Sequence, residues 1–328
     1  MISRRAVLLV CGVGALAGCA PSPVITGAGP QRSASPARLD SARRRAADAE
    51  TALAALTASC SASAAAWSAP AGFGDWCAAA SKAHTEHATV LLQADPLGGV
   101  NTDHTPLQSP SPSPVSSVGG LGEALAALNS NYAAAAGSHL ASAVTQTDPA
   151  TAMLWASLYC YASAGQQLVA NHPDGSSFGV ATVEGTAVPA RITIGSPAET
   201  LQVLLSRVDA LRFGLQTMIG RSADSQPQMS TRTTQVEDLR NTVATRISSA
   251  SASPSAPAID YTLPGNVDDR NAWSQIWGQL ESGVTAAWAP VAAASSGTQR
   301  SEALSSMSAQ SLQAPSHSVA LSWWPGWV

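Results

Sequence analysis

Positive charge is scarce in this chain. Lys82 is the single lysine among 328 residues, and charged residues of both signs make up only 12% of the sequence. With a net charge of -4 and no basic stretch longer than Arg43-Arg44-Arg45, the chain shows no basic face for nucleic acid. It contains no Gly-x-Ser-x-Gly elbow, no glycine-rich phosphate loop and no cysteine in a reactive context, so nucleophilic and phosphoryl-transfer chemistry have no motif here. No Glu-x-x-His occurs either, which removes the ligand pattern of a carboxylate-bridged dimetal bundle. Beyond residue 19, no stretch is apolar enough to span a membrane as a helix.

What is present begins with a leader. Arg4 and Arg5 precede an apolar run from Ala6 to Leu16, and small residues then lead to Cys19, the layout of a cleaved export signal. Leu16-Ala17-Gly18-Cys19 resembles the bacterial lipoprotein signal, which implies that Cys19 is diacylated and becomes the first mature residue. Ser3-Arg4-Arg5-Ala6-Val7-Leu8 is similar to a twin-arginine signal with Val7 in place of the usual Phe, so the route is Sec or twin-arginine export. Two acyl chains anchor stably, and the expected location is the extracytoplasmic face of the cell membrane, held through the N-terminal lipid. Cleavage takes Arg4 and Arg5 from the 17 basic residues and leaves 15 against 21 acidic ones, a mature charge of -6. Cys60, Cys77 and Cys160 remain in an oxidising compartment. Cys60 and Cys77 lie where a disulfide can staple a helical hairpin, the alternative being three reduced core thiols.

The whole chain is 45% hydrophobic, and its alanine-rich body reads as all-α. After a Pro/Ser/Gly tether over 20–37, apolar residues recur at helical spacing over 42–59, 76–93, 121–145 and 149–170, with Asp75 and Asp148-Pro149 as start signals. A Pro/Ser loop over 95–117 separates the second and third of these helices. Residues 173–195 break the pattern, and Val180, Thr182, Val183, Ile192 and Ile194 there favour extended chain or a short β-hairpin. Four more helices follow. Ser196-Pro197-Ala198-Glu199 opens the first with a capping box, Thr234-x-x-Glu237 begins or supports the next, Asp268 or Asp269 caps the third, and the last runs over 299–313. The expected architecture is two four-helix, up-and-down bundles, over 38–172 and 196–328, joined by the irregular segment.

Asp260-Tyr261-Thr262-Leu263-Pro264, the helix bearing Leu280-Glu281 and Trp288, and the ending Trp323-Trp324-Pro325-Gly326-Trp327 carry a family resemblance. Over about 196–328 the chain resembles a ferritin-like lipoprotein family of unknown function found in actinobacteria. That resemblance implies a four-helix bundle and no established activity.

For chemistry, the residues point to no cofactor and no catalytic group, and the expected role is non-catalytic binding or scaffolding of an envelope protein or apolar molecule. Glu281 beside an apolar stripe is expected to hydrogen-bond structurally. The metal alternative, zinc or copper, rests on His84-Thr85-Glu86-His87, whose imidazoles share one face of a helix, with Glu50 or Glu123 as carboxylate and His139 as a third imidazole. Against it stands a reading of His87 as a hydrogen-bonded core residue, with His84 and His139 on the surface. Trp323, Trp324 and Trp327 either cap the second bundle or form a contact surface. An enzyme with a cleft between the bundles is a third alternative.

Overall fold

The computed structural model describes residues 39–101, 106–108, 118–172, 174, 178, 188–317 and 319–327. The leader with Cys19, the tether, and Val180, Thr182 and Val183 of the expected hairpin lie outside the described residues. Among the described residues the fold is all-α, with eight helices and no strand: α1 Ser41–Ser63, α2 Phe73–Leu92, α3 Leu121–Thr145, α4 Pro149–Asn171, α5 Pro197–Arg221, α6 Pro227–Ser249, α7 Trp273–Ala294 and α8 Gly297–Gln310.

Helices whose first turn has a side-chain cap start where the sequence places them. Asp148 accepts from Thr151 N–H, with Pro149 at the first helical position, and Ser196 and Glu199 form the reciprocal capping box. Two starts differ. Helix α2 begins at Phe73 behind Gly72, which has φ 86° and no side-chain cap, so Asp75 lies inside the first turn. Helix α6 begins at Pro227, well before Thr234, because the proline rather than the Thr-x-x-Glu pattern marks its first turn.

Helices α1 and α2 pair, as do α3 and α4, with α1 against α3; in the second half α5 packs on both α6 and α7, and α7 on α8. Helix α4 also packs on α7 and α8. The halves therefore share one apolar core, in which Ala46, Leu91 and Met153 join Leu204, Trp288 and Met307. A buried Leu or Met side chain contributes roughly 1.5–3 kcal/mol, so Met153, Leu154 and Leu158 make α4 the main tie between the halves. Arg300 adds a polar tie. Its guanidinium donates to the carbonyls of Ala143 (3.0 Å) and Gln146 at the end of α3, and to Ala292 (3.0 Å) near the end of α7. It thereby adds donors to carbonyls at the ends of α3 and α7, where the regular i+4 amide is missing. A second cluster, with Leu53, Phe73, Trp76, Leu128 and Phe178, fills the rest of the first bundle.

The described part of the connection does not form a hairpin with itself. It runs extended past the loop after α2, where Arg191 N–H donates to Leu97 C=O (2.7 Å) and Gly99 N–H to Pro189 C=O (3.1 Å). Cys60 and Cys77 are buried free cysteines, and each thiol acts on the other, holding Cys60 below its ordinary value and, together with burial, pushing Cys77 up. Cys160 is a buried free thiol, pushed up to about 12 by burial. The terminal tryptophans are not a contact surface: Trp324 and Trp327 are buried and Trp323 is half-buried, because the tail turns inward between the halves.

Candidate metal centre

Glu50 interrupts the apolar face of α1, between Ala46 and Leu53, and points into the first bundle with 0% exposure. A lone buried carboxylate is untenable, and three imidazoles meet it. His84 Nδ1 and His87 Nδ1 both face its Oε2, at 2.6 and 2.9 Å, while His139 Nε2 faces Oε1 at 2.7 Å. The spacing of His84 and His87 along α2 puts them on the same side as Trp76, Ala80 and Ala83. His139 arrives from α3 on the stripe that carries Tyr132 and Ala136.

All three histidines are fully buried, so His84 and His139 are not surface residues. Their helices pack with the imidazole faces toward Glu50, and polar side chains aligned on one carboxylate can be buried where scattered ones cannot. Glu123 does not join them. It sits exposed in the first turn of α3, where it accepts from Gly119 N–H (2.8 Å).

The outer nitrogens of the two α2 histidines are held as well, whereas His139 Nδ1 is buried with no hydrogen-bond partner among the described residues. His87 Nε2 donates to the Trp323 carbonyl (2.7 Å), and His84 Nε2 shares a hydrogen bond with Tyr132 OH (2.9 Å). Tyr132 is itself fixed by close packing: a Cβ on Gly165 of α4 would lie 2.5 Å from its ring. Tyr161 stands edge-on to both His84 and His87, with centroids 5.4 and 4.9 Å away.

Electrostatics follow from this geometry. Burial pushes the Glu50 carboxyl up, but the charges of His87 and His84 and the hydrogen bonds from His139 and His84 outweigh it and hold the group well below the carboxylate range. Burial lowers His84 despite the pull of Glu50, and burial together with the Tyr161 charge raises Tyr132. The Trp323 carbonyl can only accept, so His87 Nε2 must carry hydrogen. A bare lone pair on His87 Nδ1 would then face an ionised oxygen at 2.9 Å, an arrangement that needs a cation between them. A proton can serve, and so can a metal.

The donor set fits a metal. Ligand atoms of Glu50, His84 and His87 lie within 4.8 Å of one another, and each histidine has its far nitrogen on an oxygen, the arrangement that fixes the tautomer of a ligating imidazole. The 2.6 and 2.9 Å separations are those of the proton-linked form. Ligation at about 2.0–2.1 Å in a tetrahedron needs ligand atoms about 3.3 Å apart, an opening of roughly 0.7 Å at His84 and roughly 0.4 Å at His87. His139, on the other carboxylate oxygen, orients Glu50. Two imidazoles and a carboxylate without thiolate suit zinc or copper(II).

Tyr132 and the Trp323 carbonyl carry no metal-ligand signature in the sequence. A signal for Tyr132 exists all the same, since it precedes His139 by two helical turns on the same stripe. Tyr132→Phe is expected to weaken zinc binding about 10-fold or more, as loss of a hydrogen-bond partner to a ligating imidazole does, and to cost about 1–3 kcal/mol because His84 Nε2 is left buried and unpaired; competition against a chromogenic chelator measures the affinity, and an unchanged value would show that Tyr132 does not orient His84.

Glu281, by contrast, is saturated. Oε1 accepts from Arg232 Nε and Trp277 Nε1, both at 2.8 Å, and Oε2 from Arg232 Nη2 (2.8 Å) and Gln310 Nε2 (2.6 Å). Its role in this geometry is structural. No helix of the described residues is long and apolar enough to cross a membrane.

No curated protein and no solved structure matches the chain. Residues 209–327, from within α5 to the tryptophan tail, are similar to a family described as a domain of unknown function (DUF4439). Less than half of the chain is covered, and Glu50, His84, His87 and His139 lie outside the match while Glu281 and the tail lie within it.

Proposed function

We propose that this chain is an exported, lipid-anchored envelope protein that binds one divalent transition metal, zinc or copper, in its N-terminal bundle, and that it is not an enzyme. The observation that carries the reading is the convergence of His84 Nδ1, His87 Nδ1 and a Glu50 oxygen with both outer nitrogens already engaged. The anchor rests on Leu16-Ala17-Gly18-Cys19, and the actinobacterial ferritin-like kinship of the second half rests on the motifs at 260–264, 280–288 and 323–327, with the match over 209–327 in support. In an oxidising envelope, the adjacent Cys60 and Cys77 thiols are proposed to close a disulfide between α1 and α2.

A second reading is supported by the hydrogen-bond lengths around Glu50: a metal-free scaffold whose polar core is a carboxylate with protonated partners. Metal analysis of protein purified from its native membrane separates the two. The metal reading expects about one zinc or copper per chain, lost in His84→Ala/His87→Ala, since ligand removal opens a closed site. Equal metal content in the two preparations leaves the scaffold reading. The same material, denatured without reductant, is expected to expose the Cys160 thiol alone; three titratable thiols would rule out the bridge.

A further inference from the structure

The cluster is fully buried, yet its cover comes from the far end of the sequence. The tail over 319–327 has no helix and crosses from the second half to the first. The Trp323 carbonyl accepts from His87 Nε2, and the Trp324 indole stands edge-on to the His87 ring with centroids 4.5 Å apart. Trp324-Pro325-Gly326-Trp327 then makes a β-turn, closed by Trp327 N–H donating to Trp324 C=O (3.0 Å). Gly326 has φ +111°, and a Cβ there would lie 2.6 Å from the Ala289 Cβ, so glycine is what seats this turn on α7. Trp327 Nε1 finally donates to the Ala190 carbonyl (2.9 Å). Tyr161 and Trp323, which stand beside the two α2 histidines, are half-buried.

We propose that Trp323 to Trp327 form a removable cover over the centre, and that metal exchanges through the opening left when Trp324 leaves His87; this rests on the metal-binding reading. The tail is built to release. Trp324 Nε1 is buried without a hydrogen-bond partner among the described residues, so docking forfeits a bond that water restores on undocking. It is also built to lock. The bond from His87 Nε2 to the tail carbonyl holds the imidazole with Nδ1 toward Glu50, so a docked tail favours an occupied site and an occupied site favours a docked tail, as linkage requires.

The test uses the full chain loaded with zinc, with release followed by a chromogenic chelator in excess. Trp324→Ala is expected to release zinc about tenfold faster or more while still binding one zinc per chain, an effect on dissociation rather than on capacity. Trp324→Phe, which keeps a ring against His87 and removes the unpaired N–H, is expected to release zinc no faster than the wild type. Wild-type release kinetics in a Trp324→Ala protein that holds one zinc would overturn the cover and leave the binding reading intact. A wild type that takes up neither zinc nor copper(II) overturns the binding reading, and the cover with it. If Trp324→Ala fails to fold, wild-type hydrogen exchange decides: stronger protection of the Trp327 amide in the zinc-loaded chain than in the zinc-free chain supports the cover, and equal protection overturns it.

Discussion

Glu50→Ala is expected to cost the fold about 3–5 kcal/mol, because breaking a buried ionic network from one side leaves the opposite partners uncompensated. Three imidazoles lose their shared acceptor at once, and none has solvent to turn to. The mutation also leaves a void among Ala46, Leu53 and the α2 face, adding a cavity cost. In thermal unfolding followed by circular dichroism, the midpoint should drop by on the order of 10 °C. Added zinc should raise the wild-type midpoint, by about 2.7 kcal/mol of stability at a hundredfold excess over Kd, and should leave Glu50→Ala unmoved. A midpoint within a degree or so of wild type would mean that the histidines do not depend on Glu50, and the centre as described would not exist.

Much of the helical order is legible in the sequence because it is local. Apolar stripes and capping residues report on the chain within a few positions, which is why α3, α4 and α5 begin where Leu121, Asp148-Pro149 and Ser196-Pro197 put them. Helix α2 has no side-chain cap to report its start, and α6 is introduced by a proline among polar residues that do not look apolar-periodic until Val236.

The site is legible in kind but not in membership. His84 and His87 share a face by spacing alone, whereas choosing Glu50 over Glu123 depends on how far one helix slides along another. No local rule sets that slide; it follows from the packing of Leu53, Trp76 and Leu128. The tail illustrates the same limit. Pro325-Gly326 announces a turn in place of a helix, but its destination against Ala289 and His87 depends on a core shared by halves distant in sequence.

Glu281→Ala is expected to be nearly as damaging as Glu50→Ala, at about 3–5 kcal/mol, but without loss of metal. The carboxylate is fully buried and each of its oxygens takes two donors, so removal takes the counter-charge from the Arg232 guanidinium and leaves Trp277 Nε1 and Gln310 Nε2 without their acceptor. Arg232 is mostly shielded as well, and its fork grips the carboxylate through Nε and Nη2, a geometry that a lysine cannot reproduce. Arg232→Ala should therefore destabilise to a similar degree. The pair Glu281→Leu/Arg232→Met should recover much of the loss, because a matched apolar replacement removes the stranded charge instead of creating one. Chemical denaturation of the three variants beside the wild type measures the cycle, and zinc stoichiometry measured on the same samples should remain at one. If Glu281→Ala kept wild-type stability, the saturated carboxylate would not be structural and a chemical role for it would have to be sought; if it lost zinc, the two polar centres would be coupled through α4 and α7, the helices that join the halves.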